Sequence, residues 1–144
     1  GIKIKLRTDS TDLMAFTHVW LLKEYGRPGF EIKNNDTIID IGGHIGLFAL
    51  YASQFCKKGQ ILSFEPILEN FNVLEENLDL NNQENIKAFN IAVTQKSGKV
   101  KIFHDEDQAA HTMYGKGDKY TEIDAVSLEE IMDSNNILKC KQKA

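Results

Sequence analysis

Proline and cysteine are scarce in this 144-residue chain: two of each, Pro28 and Pro66, Cys56 and Cys140. The cysteines stand far apart with no C-x-x-C, which argues for buried free thiols in a reducing, cytoplasmic compartment. Apolar runs of membrane-spanning length are missing, as is a secretory leader, so no membrane partner is expected. The chain starts at Gly1 rather than Met, which leaves room for an upstream segment. Basic residues are nowhere massed. The net charge is −4, and the longest basic cluster is the tail Lys139 to Lys143. A nucleic-acid partner would call for a basic face, so none is expected. Internal repeats and low-complexity tracts are absent too.

What is present is 42% hydrophobic and 26% charged residues, the balance of an ordinary globular protein. The length suits one domain with a sizeable core, so a single domain over residues 1–144 is expected. Its organising stretch is Thr37-Ile38-Ile39-Asp40-Ile41-Gly42-Gly43-His44-Ile45-Gly46. The β-branched run Thr37 to Ile41 reads as a buried strand. Gly42, Gly43 and Gly46 let the backbone turn sharply and lie close to a neighbour. Leu47 to Phe55 then continues as a mostly apolar helix. Strand, glycine turn and helix form the first half of a nucleotide-binding βαβ unit, with the ligand at the strand's carboxyl end.

Spacing narrows the ligand. From Gly42, the dinucleotide pattern G-x-G-x-x-G needs glycine at 44 and 47 and meets His44 and Leu47. Its second glycine admits a pyrophosphate, so NAD and FAD are disfavoured. No G-x-x-x-x-G-K-[ST] occurs, which removes a P-loop. Asp40-x-Gly42-x-x-x-Gly46 instead puts an acid at the strand tip before a glycine turn, which suits a ligand with a cationic amine and no phosphates, as in S-adenosylmethionine. A second acid should bind ribose hydroxyls from the next strand tip, about 20 residues on. Glu65, ending Gln60-Ile61-Leu62-Ser63-Phe64, stands there.

The rest of the chain falls into order around this unit. Ile2, Ile4 and Leu6 alternate with Lys3, Lys5 and Arg7, the pattern of a strand with one wet face. Ser10 to Asp12 supply caps for a helix to about Tyr25, closed by Gly26-Arg27-Pro28-Gly29. Lys58-Gly59 turns into the second strand, and Pro66 starts a helix carrying Ile67, Phe71, Leu74 and Leu78 on one face. Asn81-Asn82 closes that helix. Ile86 to Val93 reads as the third strand. Val100 to Phe103 and Tyr120 to Val126 suggest an antiparallel ribbon. The long polar loop between them is of a kind usually functional or disordered. Ser127-Leu128-Glu129-Glu130 is a capping box for a helix to about Asp133. Asn135-Asn136 breaks it, and Ile137 to Cys140 begins a fourth core strand.

Ile39-Asp40-Ile41-Gly42-Gly43-His44-Ile45-Gly46-Leu47-Phe48, Phe64-Glu65-Pro66 with Glu69-Asn70-Phe71, and Asn90-Ile91-Ala92-Val93 together resemble the FkbM family of S-adenosylmethionine-dependent methyltransferases. Asp12, Phe16 and Tyr25 extend the likeness, which runs from about Arg7 to Leu138. It implies an α/β fold: a Rossmann-like, doubly wound class I methyltransferase sheet with an amino-terminal strand-helix extension and an inserted β-ribbon. In that family the leading segment lies over the cofactor side, although Trp20 and Tyr25 read equally as plain packing. The implied cofactor is S-adenosylmethionine. Asp40, Gly42, Gly43, His44 and Gly46 would hold its methionine end, Glu65 the ribose, and Ala92 with its neighbours the adenine, with Pro66 also among the cofactor-binding residues. The family commonly has Ala-Asn where this chain has Gly43-His44. Its pattern also continues past Leu138-Lys139 with Asp-x-Glu-Gly and further strands, so the domain is expected to be incomplete. A fragment without catalysis, associating with itself through an uncovered sheet edge, is the competing expectation.

Methyl transfer from a sulfonium needs mainly alignment and exclusion of water, with a general base if the acceptor is a hydroxyl. A small-molecule or sugar oxygen is the acceptor that the resemblance implies. The Asn/Asp-Pro-Pro-aromatic motif of amino-methylating relatives is absent, the prolines being Pro28 and Pro66. His18, His104, His111 and Asp12 are the conceivable bases. His111, in the long loop, is the catalytic candidate, though a lone loop histidine is more often simply solvated. His104, Asp105, Asp107 and His111 match no established metal spacing, so no metal site is expected.

Overall fold

A computed structural model describes residues 1–137 other than 27, 30, 105–110 and 113–118. The described chain forms two compact units, one built on Gly1–Asn90 and the other on Ile91–Lys141. The first contains a parallel sheet in the order β1-β2-β3, from Thr37–Ile41, Gln60–Phe64 and Ile86–Phe89. Helix α2 (Leu47–Ser53) links β1 to β2, and α3 (Leu68–Asp79) links β2 to β3. Strand, helix and parallel strand in succession are the βαβ arrangement that the sequence predicts. The turn before β2 is tight. Asn34 O receives the N–H groups of Lys58 and Gly59, and Asp36 O receives that of Gln60 and the Cys56 thiol. A Cβ at Gly59 would lie 1.9 Å from Asp36 O, so only glycine fits.

Helix α3 starts two residues after Pro66, with Ile67 as its N-cap. Its buried face is Val73, Leu74, Asn77 and Leu78. At its end Asn82 sits at φ 50, and the N–H groups of Asn82 and Gln83 return to Asp79 O and Leu78 O. That is a Schellman closure with asparagine in the left-handed position, as Asn81-Asn82 suggests. The core gathers Ala49, Leu50, Ala52, Cys56, Ile61, Leu74, Leu78 and Ile86 between helices and sheet. A fully buried leucine or isoleucine such as Leu50 or Ile61 contributes about 2 kcal/mol by leaving water.

The leading segment corrects one expectation. Residues 1–7 are extended but pair with no strand. Their alternation is nevertheless structural, because Ile2, Ile4 and Leu6 pack on the core while alternate residues bond to α3 and the turn that follows it. Lys3 N–H donates to Asn81 Oδ1 at 2.8 Å and its carbonyl accepts from Asn81 Nδ2 at 2.7 Å. Lys5 repeats the pattern with Asn77, at 2.6 and 3.2 Å. Two asparagines one helical turn apart thus imitate the ladder of a neighbouring strand. Each amide offers one acceptor and donors, as a backbone peptide does.

Helix α1 (Asp12–Phe16) passes into a π-helical turn, Thr17–Leu21, so the helix ends before Tyr25. Trp20 stacks on Phe16 and meets Tyr51 edge-on, and its indole N–H donates to Leu47 O. That is the packing role. No helix among the described residues is long and apolar enough to cross a membrane.

In the second unit, β4 (Ala92–Thr94), β7 (Tyr120–Ser127), β5 (Gly98–His104) and β6 (His111–Thr112) lie in that order. The β5–β7 antiparallel pairing is the ribbon expected from the alternation. The run Ile86 to Val93, read as one strand, is divided between the two sheets. Its break falls at Asn90, whose Nδ2 donates to the carbonyls of Glu65 and Pro66 instead of continuing the ladder. Helix α4 (Leu128–Ser134) opens on Ser127, whose hydroxyl accepts the Glu130 N–H at 3.1 Å. The return half of the capping box is relayed: Ser97 Oγ donates to the Glu130 carboxylate and accepts the Ser127 N–H. Asn136, at φ 55, closes α4. Beyond Ile137 the expected fourth core strand, with Cys140, lies outside the described residues, as do Asp105 and Asp107.

Candidate functional site

Parallel pairing sets the site's frame. Asp40 lies opposite Ser63 and Ile41 opposite Phe64, so the tips of β1 and β2 are level, with Glu65 one residue farther. Ser63 Oγ donates to Asp40 Oδ2 at 2.8 Å. The Phe64 carbonyl receives the N–H groups of Gly42 and Gly43 at 2.9 and 3.0 Å. The next N–H, that of His44, donates to Glu65 Oε2 at 2.7 Å. Glu65 Oε1 accepts the Ile67 N–H at 2.9 Å and approaches Asn70 Nδ2 at 3.5 Å. The turn needs φ of +77 at Gly42 and +83 at Gly46, which glycine adopts without strain. His44 takes φ 52 without that freedom, a local strain of the kind found at binding sites.

Gly43 answers to space rather than to φ. A Cβ there would lie 2.1 Å from Ser63 Oγ and 3.2 Å from Asp40 Oδ2. Gly43→Ala alone is therefore expected to destabilise the chain by roughly 2 kcal/mol, in the range of overpacked sites. Adding Ser63→Ala should recover at least half of that loss. Urea denaturation of both variants checks this, and additive losses would contradict it.

Both carboxylates are buried, Asp40 at 8% and Glu65 at 4% exposure. Burial pushes the Asp40 carboxyl up to about 6; the Ser63 hydroxyl opposes the rise and the Glu65 charge adds to it. Behind them stands a charged group from the leading segment. Arg7 Nε and Nη2 hold the two oxygens of wholly buried Asp12 at 3.0 and 2.8 Å. Burial alone would raise Asp12, but its hydrogen bonds from Arg7 and that residue's charge hold it below the ordinary range. Arg7 Nη2 also donates to Asn70 Oδ1 at 2.8 Å and lies 3.4 Å from His44 Nε2. Burial lowers the His44 pKa; the Asp12 charge works against that and the Arg7 charge with it.

Asp40, Gly42, Gly43, His44, Gly46, Glu65 and Pro66 are thus brought together in the first unit, with Gly46 as the N-cap of α2. Ala92 lies in the second unit, buried in β4 opposite Ala125. His111 lies there too, its backbone paired with His104 in β6 and β5. Among the described residues no three His, Cys, Asp or Glu side chains gather as metal ligands. Sequence reasoning missed Ser63, Arg7 and Asn70 as site residues. Ser63 carried one signal, a lone hydroxyl inside the apolar run Ile61-Leu62-Ser63-Phe64. The arrangement offers carboxylate oxygens to a cation and to hydroxyls. The first three turn amides are already occupied, which leaves none of them for a phosphate.

Comparison with known proteins agrees. The methyltransferase FkbM domain matches residues 40–141. Methyltransferase 1 of Beauveria bassiana (strain ARSEF 2860) is 28% identical over 90 residues, 62% of this chain and 36% of that protein. Methyltransferase sdnD of Sordaria araneosa is 35% identical over 68 residues, 46% of this chain and 26% of that protein. The matched part of this chain thus spans little more than a third of either curated relative at most. A crystal structure of methyltransferase FkbM from Methylobacillus flagellatus KT shares the fold, with a TM-score of 0.52 at 17% identity over 74% of this chain and 26% of that one.

Proposed function

The chain belongs to the FkbM family of S-adenosylmethionine-dependent methyltransferases, and from that premise we propose that it binds S-adenosylmethionine at the tips of β1 and β2 and directs its methyl group to an oxygen of a small molecule or sugar. The donor set fits the cofactor. Asp40 is a buried carboxylate whose hydrogen-bond partner among the described residues is the Ser63 hydroxyl, which leaves it oxygen lone pairs for an ammonium. Glu65, gripped from behind by two backbone N–H groups, keeps capacity for ribose hydroxyls. When bound, the cofactor supplies a methyl group on an already activated sulfonium. The chain's residues need only bind, orient and exclude water. Gly42, Gly43, His44 and Gly46 pass along the methionine end, with Pro66 next to Glu65. His111 is the candidate to take the acceptor's proton. The family match runs through both units, which supports treating them as parts of one domain. Buried free Cys56 supports a reducing, cytoplasmic setting.

The observation that carries the reading is the pair of buried carboxylates on adjacent parallel strand tips, joined by one glycine turn. Calorimetric titration with S-adenosylhomocysteine should give micromolar binding, with loss of about 100-fold in Glu65→Ala, as for truncating a buried charge partner. NAD should not bind. Retained affinity in a folded Glu65→Ala variant would overturn the site, and transfer of labelled methyl to amine-bearing but not to hydroxyl-bearing acceptors would overturn the oxygen preference.

A further inference from the structure

We infer that Arg7, from the leading segment, is a positioning residue that fixes the Glu65 carboxylate, and so sets how well the site recognises ribose hydroxyls. The inference rests on the ribose role proposed for Glu65. The two Glu65 oxygens are approached by different residues, Oε2 by the His44 N–H and Oε1 by Asn70 Nδ2, with the Ile67 N–H beside it. Arg7 contacts the side chains of two of these residues: Nη2 is 2.8 Å from Asn70 Oδ1 and 3.4 Å from His44 Nε2. A guanidinium donates and never accepts. Its contact therefore turns the oxygen end of the Asn70 amide toward Arg7 and leaves the NH2 end for Glu65. Without Arg7 the amide is free to present either end.

Arg7 is itself fixed on three sides. Its backbone N–H and Nε both donate to Asp12 Oδ2, and Nη2 donates to Asp12 Oδ1. The segment that carries it is anchored at Lys5 on α3 and at Lys3 on the turn that follows α3. Sequence positions 3, 5 and 7 thus reach Asn81, Asn77 and Asn70 in turn, and the last of these contacts is passed on to the site. Arg7 acts on Glu65 through Asn70 and His44.

The test compares two ligands on the 144-residue chain: S-adenosylhomocysteine and its 2′,3′-dideoxy analogue. Carboxylate-to-hydroxyl bonds should make the unmutated chain prefer the first by about 30-fold. In Arg7→Met and in Asn70→Ala that preference should fall to about 3-fold, and in Glu65→Ala to none. A merely structural role would weaken both ligands by one common factor and leave the preference at its original value, which would overturn the inference. Should Arg7→Met not fold, Arg7→Lys decides, because a single ammonium keeps the charge beside Asp12 but cannot hold Asp12 and Asn70 at once, so the preference should fall in it too. An unmutated chain without preference, or a preference that survives Glu65→Ala, would instead overturn the ribose role, and the inference with it.

Discussion

Asp40→Asn is expected to make the chain more stable at pH 8 while weakening S-adenosylhomocysteine about 100-fold. The Asp40 carboxyl rises from 3.8 to about 6 on folding, chiefly through burial. About two pK units correspond to about 3 kcal/mol. Between those values the folded chain holds a proton that the unfolded chain releases, so stability falls as pH rises through the window. Above it the full burden of a buried charge is present; below it, none. Asparagine has the same shape, still accepts the Ser63 hydroxyl and carries no charge. The stability gain should approach ~3 kcal/mol at pH 8 and vanish near pH 4. The ligand's ammonium, by contrast, loses its counter-charge, and removing one member of a desolvated pair costs about 3 kcal/mol, or about 100-fold. In the unmutated chain, affinity should likewise drop as pH falls below about 6. Urea melts at pH 8 and pH 4 with parallel titrations decide the matter. A variant less stable than the parent at pH 8 would show that Asp40 is not the strained charge described.

Asn77→Leu should be the most damaging substitution outside the site. Asn77 is wholly buried, and its amide bonds Lys5 N–H at 2.6 Å, Lys5 O at 3.2 Å and Ile45 O at 2.9 Å. Leucine fills the same volume but leaves those three backbone groups unpaired, at about 1–3 kcal/mol for each group that water cannot reach. A loss of about 4 kcal/mol is expected, a large share of what a domain of this size has. Asn81→Leu is the control. Its bonds to Lys3 are exposed, so water can replace them and the change should stay below ~1 kcal/mol. Denaturant titration separates the two, and equal midpoints would mean that the asparagine ladder does not hold the leading segment.

The parts of the fold and site that could be read from sequence were those encoded locally. The β-branched run, the glycines at 42, 43 and 46, and an acid at the next strand tip all follow from the spacing of neighbours. So do the closures at Asn81-Asn82 and Asn135-Asn136. Side-chain partnerships across the chain could not be read. An alternating stretch at residues 2–7 looks like a strand because both states bury one side of an extended backbone. What it pairs with is decided by Asn77 and Asn81, more than 70 residues away. Ser63 and Arg7 join the site by the same kind of distant contact, whereas Asn70 reaches Glu65 from five residues along the chain. The division of Ile86 to Val93 was hidden too, because its β propensity is unbroken apart from Asn90, and the carbonyls that capture Asn90 belong to another loop.

The three consecutive amides of residues 42–44 all end on acceptors that the chain itself supplies. Ordering a backbone residue takes about 1–2 kcal/mol of conformational entropy. For this turn, that entropy and the strain at His44 are spent during folding, so a ligand arriving later meets a surface already in its final shape. Preorganisation of this kind favours affinity because little freedom is left to lose on association. It also makes the turn unforgiving. A ligand that needs these amides for itself must first break the bonds that hold the carboxyl ends of β1 and β2 together.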